Sequence, residues 1–154
     1  MSYFNRFYIA FLFPFVVFSL ISCRSGYSDT ESQKGIANAE KLITAISTFY
    51  HDKNYYPSSL GELIPDYLVK LPTPRESEFN VNFEYELIQT DDITEYQLYF
   101  FSQRGVFFTT KARDVFVYRP SGVFQKKYFR GDNLTVTTNE IRGHWAFQTW
   151  SRKK

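Results

Sequence analysis

The sequence predicts an α+β domain, an N-terminal helix packed on an antiparallel β-sheet meander. Three observations carry that expectation. Apolar residues recur at steps of three and four over residues 32–52, as on one face of a helix. From Phe79 onward the step becomes two, as on one face of a strand. Short clusters of Pro, Gly, Asn, Asp and Ser then separate the strand candidates, and these residue types supply turns.

The helix stripe runs Ile36, Ala39, Ile43, Ile46 and Tyr50, with Leu42, Ala45 and Phe49 beside it. Thr30 and Ser32 are candidate N-caps. The helix is expected to end near Asp52, Lys53 and Asn54, ahead of Pro57. Its broad apolar stripe calls for a sheet to cover it. Ser59 and Glu62 stand three apart, as in a capping box, which predicts a second, short helix stopped by Pro65. Residues 68–74 read as an extended loop punctuated by proline.

In the sheet, Phe79, Val81, Phe83, Tyr85 and Leu87 alternate with Asn80, Asn82, Glu84 and Glu86, a strand with one wet face. Thr90, Asp91 and Asp92 turn the chain into a second strand with Tyr96, Leu98 and Phe100, ended by Gly105. Further strands are predicted at 106–110, 115–118, 123–129, 134–138 and 144–150. Turns are predicted at Pro120-Ser121-Gly122, at Gly131-Asp132-Asn133 and at Gly143. There is no internal repeat and no low-complexity segment.

The first residues have a different character. A head with one basic residue, Arg6, leads into an apolar run over residues 7–20, then Ser22 and Cys23. That is the layout of a cleaved signal peptide. A membrane-spanning helix needs about 20 apolar residues; this run is shorter and contains Pro14, which favours cleavage. Residues 24–33 are polar and read as a tether. What remains after cleavage is the size of one domain.

Charge and composition exclude several classes. The chain carries 18 basic and 16 acidic residues, a net charge of +2, and +1 without Arg6. Near-neutrality argues against nucleic acid, which needs a basic patch. Cys23 is the single cysteine, so internal disulfides and cysteine metal sites are excluded. Aromatic residues make up 20% of the chain, with 12 Tyr and 17 Phe, and these suit strands.

Catalytic signals are sparse. No His-Glu-x-x-His, Gly-x-Ser-x-Gly or phosphate-binding glycine loop occurs. His51 sits where a helix dipole favours a cation, and His144 reads as a wall residue in a strand of aromatics. Glu84 with Glu86, or Asp91 with Asp92, are carboxylate pairs better explained by a solvated sheet face and a turn. No enzyme activity, metal or cofactor is expected. Tyr118, Tyr128, Trp145 and Trp150 are the candidate interaction surface, able to stack on a glycan or on a partner's apolar groups. The competing reading is that most of them fill the core.

Two resemblances add to this. Leu20-Ile21-Ser22-Cys23 resembles the lipobox of bacterial lipoproteins. The resemblance implies cleavage before Cys23, acylation of that cysteine and attachment to a membrane through it. Arg24, rather than aspartate, after the cysteine implies the outer membrane. Secondly, Tyr50, Asp52, Tyr56, Pro57, Leu60, Leu63, Tyr67, Leu68, Leu71 and Pro72 resemble the globular part of type IV pilin-like proteins, nearest the major pseudopilin of type II secretion. Residues 82–105 resemble that family's strand pair. The prepilin cut and the long apolar helix of the family are missing. Together the resemblances imply a signal peptide at 1–22, a lipidated tether at 23–33 and a pilin-like domain at 34–154. The expected role is a non-catalytic interaction or structural module of the cell envelope, partnered by another envelope protein and linked to secretion or pilus-type machinery. The alternative is a glycan- or peptidoglycan-binding lipoprotein.

Overall fold

A computed structural model describes residues 30–75, 82–91, 93–102, 112–124 and 134–152. The expected signal peptide, Cys23, Tyr128, Phe79, Asp92, the turns expected at Gly105 and Gly131-Asp132-Asn133, and the strands expected at 106–110 and over most of 123–129 lie outside the described residues.

Among the described residues one helix, α1 (Thr30–Lys53), precedes five strands: β1 (Glu84–Gln89), β2 (Thr94–Phe101), β3 (Ala112–Tyr118), β4 (Leu134–Arg142) and β5 (Trp145–Arg152). The helix therefore takes in residues 30–33, which the sequence assigned to the tether. Its buried face is Ser32, Gly35, Ala39, Leu42, Ile43, Ala45, Ile46 and Phe49. Ser32 is thus a buried helical residue, not a cap. Ile36 lies at the rim of the stripe and Tyr50 is 41% exposed, so the face is rotated from the expected one. Asn54 ends the helix in the left-handed region at φ 60°, and its N–H donates to the Tyr50 carbonyl at 2.7 Å. Asparagine tolerates this conformation and closes helix ends for that reason.

A 3-10 turn follows at Leu60–Leu63. Glu62 folds back on this turn, as a capping box requires, but onto Ser58 rather than Ser59. Its Oε1 accepts from the Ser58 amide at 3.1 Å and from the Ser58 hydroxyl. Ser59 itself makes no side-chain cap. The turn delivers Leu63, fully buried, to the base of the core.

Among the described residues all strand pairs are antiparallel, and the sheet order is β1-β2-β3-β5-β4. This corrects the expected pilin-like fold, a helix on a simple meander. The last hairpin enters the sheet with its second strand inward and its first strand outward. The residues explain the inversion. Along β5, Trp145, Ala146 and Phe147 face Tyr118, Val117 and Phe116 of β3 in register. β4 offers Thr135, Thr137, Thr138 and Asn139, all exposed, which suit an edge. A strand that buries aromatic surface gains far more from the central position than one rich in threonine.

The core lies between α1 and one face of the sheet. It joins Ala39, Leu42, Ile43, Ile46 and Phe49 to Phe83, Tyr96, Leu98, Phe100, Phe116 and Trp145. The far face of the sheet is buried too along its middle. Val115, Val117, Ala146 and Gln148 are each 0% exposed there.

Candidate functional site

Alternation along the strands sorts the aromatic residues onto two faces. On the helix side, Tyr96 lies in register with Leu87 and is buried. Its ring lies 5.2 Å from Tyr56, 5.6 Å from Tyr85 and 6.0 Å from Tyr118. Tyr118 continues the run to Trp145 at 5.3 Å and to the His144 ring at 6.1 Å. At the other end Tyr56 meets the exposed Tyr50 at 4.5 Å. The result is a connected tyrosine cluster from surface to core.

The hydroxyls of Tyr96 and Tyr118 hydrogen-bond each other. Tyr85 donates to the Pro57 carbonyl at 2.7 Å, which pins the loop after α1 to β1. Burial pushes the Tyr85 and Tyr96 phenols well above the ordinary tyrosine range, with neighbouring tyrosines adding to the effect. Tyr56 and Tyr118 are raised as well, again first by burial. These are neutral packing groups whose ionisation the fold opposes. The Trp145 indole donates to Glu40 on α1 at 3.3 Å.

On the far face, Trp150 lies 5.1 Å from Tyr99 and 6.2 Å from Phe101. The Arg113 guanidinium stands 5.3 Å over the Phe101 ring. Beside these half-buried rings runs a row of polar side chains. Gln97 donates to Glu86 at 2.6 Å, and Trp150 donates to Gln148 at 2.8 Å, which in turn donates to Thr138 at 3.1 Å. Arg119, 0% exposed, pairs with Glu95. The same pair holds the loop after β3: Arg119 donates to the Val123 carbonyl at 2.6 Å, and Ser121 N–H donates to Glu95 at 3.3 Å.

The sequence-predicted surface is therefore divided. Tyr118 and Trp145 meet each other on the helix side, with Trp145 only 7% exposed. Trp150 stands on the opposite face with Tyr99 and Phe101. Tyr128 and Cys23 lie outside the described residues. His144 is an exposed turn residue, not a strand wall, and its carbonyl accepts the Arg119 amide at 3.0 Å. His51 is exposed at the helix end, 3.5 Å from Asp52. Glu84 and Glu86 share a face, but Glu86 is engaged by Gln97.

The sequence reading missed the buried Glu95–Arg119 pair. Glu95 alternates with apolar residues and passes for a solvated position. The available signal was Val115-Phe116-Val117-Tyr118, an unbroken apolar run of the kind found in strands buried on both faces.

A groove of about 370 Å³ runs beside the first turns of α1, lined by Glu31, Lys34, Ala37, Asn38 and Arg75. Glu31 and Lys34 are paired at 2.9 Å, and Asn38 donates to the Thr73 carbonyl at 3.0 Å. Among the described residues no three His, Cys, Asp or Glu side chains come together to hold a metal. Among the same residues no helix is long and apolar enough to cross a membrane. Among the described residues the surfaces offer stacking and hydrogen bonding.

Comparison with protein families finds no matching model. Comparison with curated proteins and with solved structures finds no match either.

Proposed function

We propose that the protein is a lipoprotein of the bacterial cell envelope, tethered by acylated Cys23 and acting as a non-catalytic interaction or structural module toward another envelope protein. The observation that carries the proposal is Leu20-Ile21-Ser22-Cys23 placed directly after the apolar run at 7–20. Each acyl methylene buried in a bilayer contributes about 0.8 kcal/mol, so two or more chains hold a protein firmly. Arg24 favours the outer membrane. The tie to secretion or pilus-type machinery rested on the pilin-like fold and is not carried forward.

The test is intact mass and membrane fractionation of the native protein beside a Cys23→Ala variant. The proposal expects loss of residues 1–22, added acyl mass and recovery with outer membranes for the native chain alone. Retention of residues 1–22 without acyl mass overturns it.

Recognition of a glycan or peptidoglycan is the second reading. It draws support from Trp150 with Tyr99 and Phe101, half-buried rings of the type that stack on sugars. Titration with peptidoglycan fragments should quench tryptophan emission in the native chain and not in Trp150→Phe. Equal responses from the two proteins, or none from either, remove this reading.

A further inference from the structure

At the end of α1 two tyrosine rings meet at the shortest spacing in the tyrosine cluster. Tyr50 and Tyr56 have ring centroids 4.5 Å apart and planes tilted by 32°. Aromatic pairs span about 4.5–7 Å, so these rings touch at the close end of the range. Both stand on clamped backbone. The Tyr50 carbonyl accepts the Asn54 N–H at 2.7 Å, and Asn54 turns the chain through the left-handed region. Tyr56 precedes Pro57, which is buried and whose carbonyl accepts the Tyr85 hydroxyl at 2.7 Å. The fold itself therefore sets one ring on the other.

The surroundings of the cluster differ in a way that matters for oxidation. A phenol gives up an electron readily where its proton can leave at the same time. Tyr50 is 41% exposed, so water can take its proton. Tyr85 and Tyr96 keep theirs, because burial opposes their ionisation and the Tyr85 hydroxyl is committed to Pro57. Ring contact runs unbroken from Trp145 through Tyr118, Tyr96 and Tyr56 to Tyr50, at 5.3, 6.0, 5.2 and 4.5 Å. Tyr55 is more exposed, at 55%, but its ring packs edge-on against Phe49 at 5.5 Å, and Phe49 also meets the Tyr67 ring at 5.3 Å. Phenylalanine has no phenol to oxidise.

We propose that Tyr50 and Tyr56 are an oxidative crosslinking site, joined into dityrosine by hydrogen peroxide acting through a one-electron haem oxidant. Each phenol loses one electron and one proton and becomes a phenoxyl radical. The two radicals couple through ring carbons ortho to oxygen, which forms one C–C bond. The hydrogen on each coupled carbon moves to that ring's oxygen and restores the phenol. The two electrons and two protons reduce one hydrogen peroxide to two waters. An oxidising equivalent that lands on the buried rings passes outward to this end, where its proton can leave. The new bond ties the last turn of α1 to the loop that Tyr85 holds, in a chain whose single cysteine excludes an internal disulfide. The proposal is independent of the lipid anchor.

The experiment treats the full chain, dilute and in detergent, with a haem peroxidase and hydrogen peroxide. Trypsin cuts after Lys53, between the two tyrosines, and Tyr50 is the sole tyrosine of the peptide 42–53. The crosslink therefore appears in the mass spectrum as peptides 42–53 and 54–70 joined and lighter by two hydrogens, with dityrosine fluorescence on the monomer. Tyr50→Phe and Tyr56→Phe should each abolish the joined peptide. Tyr55→Phe and Tyr67→Phe should leave it. Far-ultraviolet circular dichroism confirms that the four variants remain folded. A native chain that yields no joined peptide overturns the proposal. So does a joined peptide that survives Tyr56→Phe, or a main product that lies within 54–70 or between copies.

Discussion

Gly35 and Phe100 lie in direct contact: a methyl group on Gly35 would stand 2.5 Å from Cε2 of the Phe100 ring. Phe100 is 3% exposed and stacked on Phe116 at 5.2 Å, so the ring has no room to withdraw. Glycine is costly in a helix, yet here it sets how closely α1 approaches the sheet. Alanine in a helix interior ordinarily adds up to about 1 kcal/mol over glycine. Gly35→Ala should reverse that sign and destabilise by about 1–3 kcal/mol through overpacking. Gly61→Ala, whose nearest neighbour would be Ser59 Oγ at 3.5 Å, should be neutral or stabilising. Thermal melts of the two variants decide the matter. A Gly35→Ala protein that melts above the native one refutes the close-approach role.

The Glu95–Arg119 pair gives a second prediction. Its side chains are 6% and 0% exposed, and both also hold the loop after β3. Removing one partner of such a pair strands the other charge away from water, at about 3–5 kcal/mol. Arg119→Met and Glu95→Leu should each fall in that range in urea unfolding. The double variant should lose much less than the two single losses combined, because neither charge is then stranded. Simple additivity would show that the two residues act separately.

Alkaline pH should unfold the protein through its tyrosine cluster. Tyr85 and Tyr96 have folded-state pKa values raised above the ordinary 10.0. The unfolded chain therefore loses these protons first as pH rises. Stability is full below about pH 10 and falls as pH climbs beyond it, toward the folded values. Tyrosinate absorbance of the buried group should appear together with the loss of secondary structure. Tyr96→Phe should soften the alkaline transition. Ionisation of the buried tyrosines with the fold intact would contradict the expectation.

Asn54 yields a narrower test. At φ 60° a β-branched side chain is strained by about 1–2 kcal/mol, whereas glycine is not. Asn54→Val should lower the denaturant midpoint, and Asn54→Gly should leave it nearly unchanged. Equal losses for both would mean that the asparagine side chain, not the backbone, closes the helix.

The helix and the first hairpin were legible because their signals are local. The three-and-four period of Ala39, Leu42, Ile46 and Phe49 survives in the buried face, and Thr90 closes the β1–β2 turn by hydrogen bonds with Ile93 at 2.9 and 3.3 Å. The strand order was not legible. Whether β4 or β5 lies beside β3 depends on side chains far apart in sequence, such as Phe116 with Phe147. Burial of the far face was hidden for a related reason. A glutamate every second residue looks solvated until a distant arginine is brought to it. The candidate surface suffered most, since Tyr118, Trp145 and Trp150 fall by strand parity onto opposite faces of one sheet.

That same division makes the two tryptophans separate optical probes. Trp145 touches Phe100 at 6.2 Å and binds Glu40 of the helix, so its emission follows helix docking. Trp150 is surrounded by Tyr99, Phe101 and Gln148 and follows the other layer. With one of them replaced by phenylalanine, the remaining indole reports on a single side of the sheet. Stopped-flow traces of the two variants would then tell whether the two layers of the protein close in one event or in sequence.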